Sequence, residues 1–199
     1  MDYGFLRIFI PVYFALFITA CFLWRWISFF KMTGKSPIIL HSSETAHGYL
    51  ARILGYFVVI WAVIVTIFCC SQNFYRVLMP FNARYNIQVF GIVLLFVALI
   101  IIAIAQSQMG SSFRIGIDDK EKTSLVHRGL YKYSRNPIYL GMELAVVGLF
   151  FVIPNVVTLL MVVLAHITLQ IEIRLEETHL FSLHGESFRE YCKQVRRWV

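Results

Sequence analysis

Three runs without a charged side chain, between Arg7 and Arg25, between Arg52 and Arg76, and between Arg84 and Arg114, divide the first half of the chain. Each is long enough, allowing for arginines that reach back to the interface, to cross a hydrocarbon layer of roughly 30 Å. A fourth largely apolar region runs from about Ile138 to Arg174 and is interrupted by Pro154-Asn155. As a single helix rising about 1.5 Å per residue it would be roughly 55 Å long, so it is predicted to fold back as a tight helical hairpin. Pro154 is expected at the first position of the second arm, where a missing N–H costs nothing. The pattern changes at Glu176: Leu180, Leu183, Phe188, Tyr191 and Val195 punctuate charged residues at roughly helical spacing. That predicts an amphipathic helix at headgroup level, broken at Gly185, with a second piece from Glu186 to Arg197.

Composition agrees with lipid as the solvent. Of 199 residues, 59% are hydrophobic and 16% aromatic, and the mean hydropathy is +0.71. A soluble domain is excluded, and the fold class is all-α integral membrane with about five transmembrane helices. The formal charge of +7 does not read as a nucleic-acid surface, because the basic residues are scattered among segment ends and loops. Passages 25–52, 109–137 and 172–199 hold fifteen of the eighteen Lys and Arg, which places them in the cytoplasm. The N-terminus and the Pro154 turn then face outward. Ile8 to Trp24, flanked by Arg7 and Arg25, reads as a retained first helix, not a cleaved signal. Cys21, Cys69, Cys70 and Cys192 show neither disulfide nor zinc spacing, and no metal is expected. One structural domain is expected, with helices in 1–108 and the catalytic part in 109–199.

The candidate chemistry lies in two polar passages. In the first, Leu125 to Gly141 (LVHRGLYKYSRNPIYLG), Gly129 precedes Tyr131 and Tyr133, and Arg135-Asn136-Pro137 opens a helix. Asn before Pro is a capping signal, which leaves Arg135, the tyrosines and Gly141 unexplained. An arginine beside the free N–H groups of a helix start suits a carboxylate or phosphate, and aromatics beside it can stack a purine or face a cation. Glu143, one turn beyond Tyr139, is an acid inside a membrane segment; it either serves the site or reaches water or Arg135. On the last segment His166, Gln170, Arg174 and Glu177 share one helical face, and an Arg174–Glu177 surface pair is the plain reading. The tandem carboxylates Glu176 and Glu177 repel unless a cation is near.

From Met109-Gly110 to Trp198 the chain resembles the integral-membrane methyltransferases that include isoprenylcysteine carboxyl methyltransferase and the phospholipid N-methyltransferases. The shared features are Leu125-Val126, Gly129-Leu130-Tyr131, Arg135-Asn136-Pro137-Ile138-Tyr139, Glu176-Glu177, Gly185, Tyr191 and Arg197. Three positions depart from the family pattern: Thr123 and Asn136 replace histidines, and His184 replaces a phenylalanine. The resemblance implies S-adenosylmethionine held under a cytoplasmic cap by Leu125, Val126, Gly129, Tyr131, Asn136, Pro137, Tyr139, Glu176 and Glu177. A lipophilic or lipid-attached acceptor would enter sideways between helices. It further implies catalytic work for Arg135, Glu143, Glu177 and Arg197. An amine acceptor must arrive deprotonated, which gives Glu143, Glu177 or a tyrosine a base or cation-holding role, whereas a carboxylate needs only a positive guide such as Arg135 or Arg197. Asn136 can still donate and accept hydrogen bonds but cannot titrate. The three N-terminal helices match only in being hydrophobic and are expected to say nothing about substrate.

Two other readings share part of this pattern. Membrane sterol and steroid reductases, which bind NADPH, have a similar C-terminal look but generally more membrane segments, and no extra basic cluster for a second phosphate is present here. A non-enzymatic lipid-binding or membrane-partner protein would tolerate replacement of Arg135 and Glu177.

Overall fold

The computed structural model describes residues 1–34, 46–70, 75–110 and 125–199. Thr123 and the basic residues Lys35, Arg114, Lys120 and Lys122 lie outside these ranges. Helix α1 (Tyr3–Ile18) opens at Asp2, whose carboxylate accepts from the Phe5 amide at 3.2 Å and satisfies one of the free donors of the first turn. A π turn (Thr19–Leu23) carries it into α2 (Trp24–Thr33). Then follow α3 (Ala46–Cys70), α4 (Tyr85–Met109), a 3-10 turn (Gly129–Lys132), α5 (Pro137–Val152), α6 (Val156–His184) and α7 (Glu186–Gln194). Among the described residues there is no strand.

Four stretches are long and apolar enough to cross a membrane: Tyr3–Lys31, Gly48–Cys70, Tyr85–Met109 and Val156–His184. Helix α5 is apolar but has only 16 residues. The outward faces carry large apolar side chains at helical spacing, such as Leu160, Val163, Leu164, Ile167 and Ile171 on α6. In water so extended an apolar face would aggregate; facing lipid it costs nothing.

The turn between α5 and α6 corrects one expectation. Pro154 is not the first residue of α6; Asn155 caps the helix instead. Its Oδ1 accepts from the Thr158 amide at 2.9 Å, and Thr158 Oγ1 accepts from the Asn155 amide at 3.1 Å. Asn155 is fully buried beneath residues 78–81, which bond the turn through the Phe81 amide to the Pro154 carbonyl (2.9 Å) and the Val156 amide to the Leu78 carbonyl (3.2 Å). A second correction concerns Glu176, where no new helix begins. Helix α6 runs on through the carboxylate pair to His184 and stops at Gly185, whose positive φ of 55° favours glycine.

Inside a lipid-facing bundle, apolar burial alone gives little reason for helices to associate, and close backbone approach and polar cross-links do the work. Helices α4 and α5 meet on glycines: a Cβ at Gly91 would stand 2.8 Å from the Gly148 carbonyl, and one at Gly141 would stand 2.5 Å from Ile102 Cγ1. Gly141 therefore serves packing. Buried hydroxyls and amides find backbone carbonyls, as Tyr13 does at Leu95 (2.8 Å) and Gln88 at Val152 (3.0 Å).

Candidate functional site

The chain end folds back over the first polar passage. The Arg135 amide donates to the Arg196 carbonyl at 3.0 Å, and Asn136 Nδ2 donates to the Arg197 carbonyl at 3.1 Å. Asn136 occupies the cap position of α5, yet its side chain makes no capping bond. Glu177 sits between two arginines. Its Oε1 accepts from Arg135 Nε (3.0 Å) and Nη2 (2.8 Å), and its Oε2 from Arg197 Nε (3.0 Å) and Nη2 (2.6 Å). The remaining Arg135 nitrogen donates to the carbonyls of Val195 (2.5 Å) and Cys192 (3.3 Å). All three Arg135 nitrogens are thus engaged, and Glu177 pairs with Arg135 and Arg197, not with Arg174. The hydrogen bonds to Glu177 raise the Arg197 pKa.

Beneath this clamp α7 lays Phe188 and Tyr191 against Leu125, Leu180 and Val195. Tyr191 donates to the Tyr131 carbonyl at 2.6 Å, and burial pushes its hydroxyl up to about 12. Gly129 adopts a φ of 63°, and a Cβ there would lie 2.2 Å from the Gln108 amide nitrogen, whose partner oxygen accepts from the Leu130 amide at 2.8 Å. Leu125 and Gly129 are accordingly occupied in holding the loop. Val126 is half-buried at the start of the same passage.

A cavity of about 340 Å³ lies beside the clamp. Its polar end is formed by Tyr131, Arg135, Asn136, Pro137, Tyr139, Glu172 and Glu176, and Tyr139 hydrogen-bonds Glu176. Its apolar remainder is walled by Phe17, Cys21 and Phe22 of the first rod, formed by α1, the π turn and α2, by Gly55 and Trp61 of α3, by Ile102 of α4, and by Met161 and Ala165 of α6. Six of the expected residues, Tyr131, Arg135, Asn136, Pro137, Tyr139 and Glu176, are therefore brought together on one wall. Glu143, Glu177, Arg197, Leu125, Val126 and Gly129 stand outside it. Tyr133 is exposed.

Glu143 does not pair with Arg135. Its Oε1 lies 3.2 Å from His166 Nδ1, bridging α5 and α6 in a separate cluster in which Trp198 stacks on His166 at 6.4 Å and Gln170 approaches its Nε2 at 3.4 Å. The structure adds two polar cavity residues that the spacing argument passed over, Glu172 (8% exposed) and Gln106 (4% exposed). The available signal was the one used for Glu143, a polar residue within an apolar run. The first three helices, expected to say nothing about substrate, supply much of the cavity wall.

The fold and the cavity define a lipid-facing helical membrane protein with a largely apolar cavity that is polar at one end. The family model described as phospholipid methyltransferase matches residues 86–187, just over half the chain, and the chain belongs to that family. It is by family a membrane methyltransferase. The matched region takes in α4, α5 and α6 and ends before Tyr191 and Arg197. No curated protein gives a significant match.

Proposed function

We propose that the chain transfers a methyl group from S-adenosylmethionine to a lipid amine at the cytoplasmic membrane face, within the cavity beside the Arg135–Glu177–Arg197 clamp. The observation that carries this reading is the charge of the cavity wall. Glu172 and Glu176 lie on it, while its single basic residue among the described ones, Arg135, has its donors engaged by Glu177 and two carbonyls. Such a wall favours cations, a sulfonium and an amine, over a carboxylate acceptor.

The residues fit the cofactor. The cavity volume falls within the about 300–1,000 Å³ of small-molecule sites, and Tyr131, Asn136, Tyr139 and Glu176 would hold it. When bound, S-adenosylmethionine supplies an electrophilic methyl on a positive sulfur. The chain's own contribution is alignment, exclusion of water, and removal of the proton that an amine must lose. Glu172, on the wall and nearly buried, takes over the base role that the sequence offered to Glu143, Glu177 or a tyrosine. The apolar wall from Phe17 to Ala165 receives the acyl chains, and α5 forms the short arm of a five-segment membrane fold.

Calorimetric titration of the detergent-purified protein with S-adenosylhomocysteine and with NADPH tests this. Micromolar binding of the adenosyl compound, weakened at least tenfold by Glu176→Gln, is expected, together with transfer of labelled methyl to phosphatidylethanolamine. Binding of NADPH alone would replace the proposal with the reductase reading.

A further inference from the structure

Gln106 holds an amide oxygen with no partner among the described residues. Its side chain is 4% exposed and lines the cavity one turn beyond Ile102, where the apolar wall meets the polar end. Which amide atom is left without a partner follows from chemistry alone. Gln106 Nε2 donates to the Cys21 carbonyl at 3.0 Å, and because a carbonyl only accepts, Oε1 must be the atom left over. Cys21 stands in the middle of the π turn Thr19–Leu23, a wider winding that often marks a functional position, and it lines the same cavity. The turn thus fixes an acceptor that no described residue satisfies. A buried amide oxygen without a donor is costly, and a ligand that brings an N–H removes the cost.

We propose that Gln106 determines specificity for the acceptor: its Oε1 receives a hydrogen bond from an N–H of the lipid headgroup, so that the cavity prefers lipids whose nitrogen still carries hydrogen. This rests on the lipid-amine reading above. A fully methylated headgroup has the same positive charge and no donor, so Gln106 separates substrate from finished product by hydrogen bonding, where Glu172 and Glu176 respond to charge.

The test is calorimetric titration of the full chain in detergent with dihexanoyl phosphatidylethanolamine, dihexanoyl phosphatidylcholine and S-adenosylhomocysteine. The wild-type protein should bind the ethanolamine lipid about three- to tenfold more tightly than the choline lipid, the range expected for one net hydrogen bond. Gln106→Met should narrow that ratio towards one with S-adenosylhomocysteine binding unchanged, and should raise KM for phosphatidylethanolamine with kcat largely kept. Gln106→Glu, which keeps an oxygen acceptor but loses the Cys21 bond, should retain the preference. If Gln106→Met misfolds and loses S-adenosylhomocysteine binding, Gln106→Glu decides: a kept preference supports the proposal and a lost one overturns it. A wild-type ratio near one, or an unchanged ratio in a Gln106→Met protein that binds S-adenosylhomocysteine, overturns it as well. Failure of the wild-type protein to bind S-adenosylhomocysteine would instead sink the methyltransferase reading on which it rests.

Discussion

Glu176 and Glu177 are neighbours in the chain, but about 100° apart around α6, and that rotation gives them different work. Glu177 faces two guanidinium groups with both oxygens taken, whereas Glu176 faces the cavity and Tyr139. Glu177→Ala strips the counter-charge from Arg135, itself mostly buried at 11% side-chain exposure. The loss should cost about 2–3 kcal/mol in reversible unfolding, as expected for charged hydrogen bonds removed from one side. Limited trypsin digestion should then cut at Arg196 and Arg197 well before it does in the wild type. Glu176→Gln should leave unfolding and digestion unchanged and weaken S-adenosylhomocysteine. Equal destabilisation by both changes would contradict the division. The tandem pair was visible in the sequence and demanded a cation. Which cation it has was not visible, because Arg135 lies 42 residues before Glu177 and Arg197 lies 20 after it, beyond the reach of helical spacing. Local spacing offered Arg174, and the tertiary partners won.

Among the elements, the membrane helices were readable because lipid allows few alternatives: an uncharged run of sufficient length must close its own hydrogen bonds. Their ends were less readable. The start of α6 is set by Asn155 and Thr158 exchanging hydrogen bonds, a stronger local device than the proline beside them. Packing between helices leaves only small residues as its trace, so Gly141 looked like part of the site when it makes room for Ile102. Gly91→Ala sets a Cβ against the Gly148 carbonyl, which cannot rotate aside, and should cost about 1–3 kcal/mol in unfolding. At the other end of the bundle, α7 depends on a neutral Tyr191. Its hydroxyl is raised from 10.0 to about 12, so its contribution is complete below pH 10 and is lost as the pH rises through the folded value. Tyr191→Phe should therefore be less stable than the wild type by about 1 kcal/mol at pH 8, with the gap closing between pH 10 and 12 in paired thermal scans. A gap constant across that range would show that the hydroxyl does not dock the tail.

The whole molecule divides its work between a region that carries the family's match and one that does not. Residues 86–187 supply the polar end of the cavity, while the first rod and α3, outside the match, close its apolar side with Phe17, Trp61 and their neighbours. Hydrophobicity alone gave no hint of this, since a lipid-facing and a cavity-facing leucine or phenylalanine read alike until the helices are placed. Gly55 provides the discriminating position. It lies on the cavity wall, and a Cβ there would meet nothing within 4 Å. A larger side chain at Gly55 can therefore enter the cavity without displacing a neighbour, unlike one at Gly91. Gly55→Phe should leave thermal unfolding in detergent unchanged, because no packed contact is lost or compressed. It should leave S-adenosylhomocysteine binding within about twofold of wild type, about 0.4 kcal/mol, because the polar end is untouched. Methyl transfer to a long-chain lipid amine should fall at least tenfold, the equivalent of about 1.4 kcal/mol of lost acceptor binding. Unimpaired transfer by a stable Gly55→Phe protein would mean that the acceptor reaches the polar end by another route and that α3 is scaffold. Loss of transfer with S-adenosylhomocysteine binding intact would put the selection of the lipid in the helices outside the family's match.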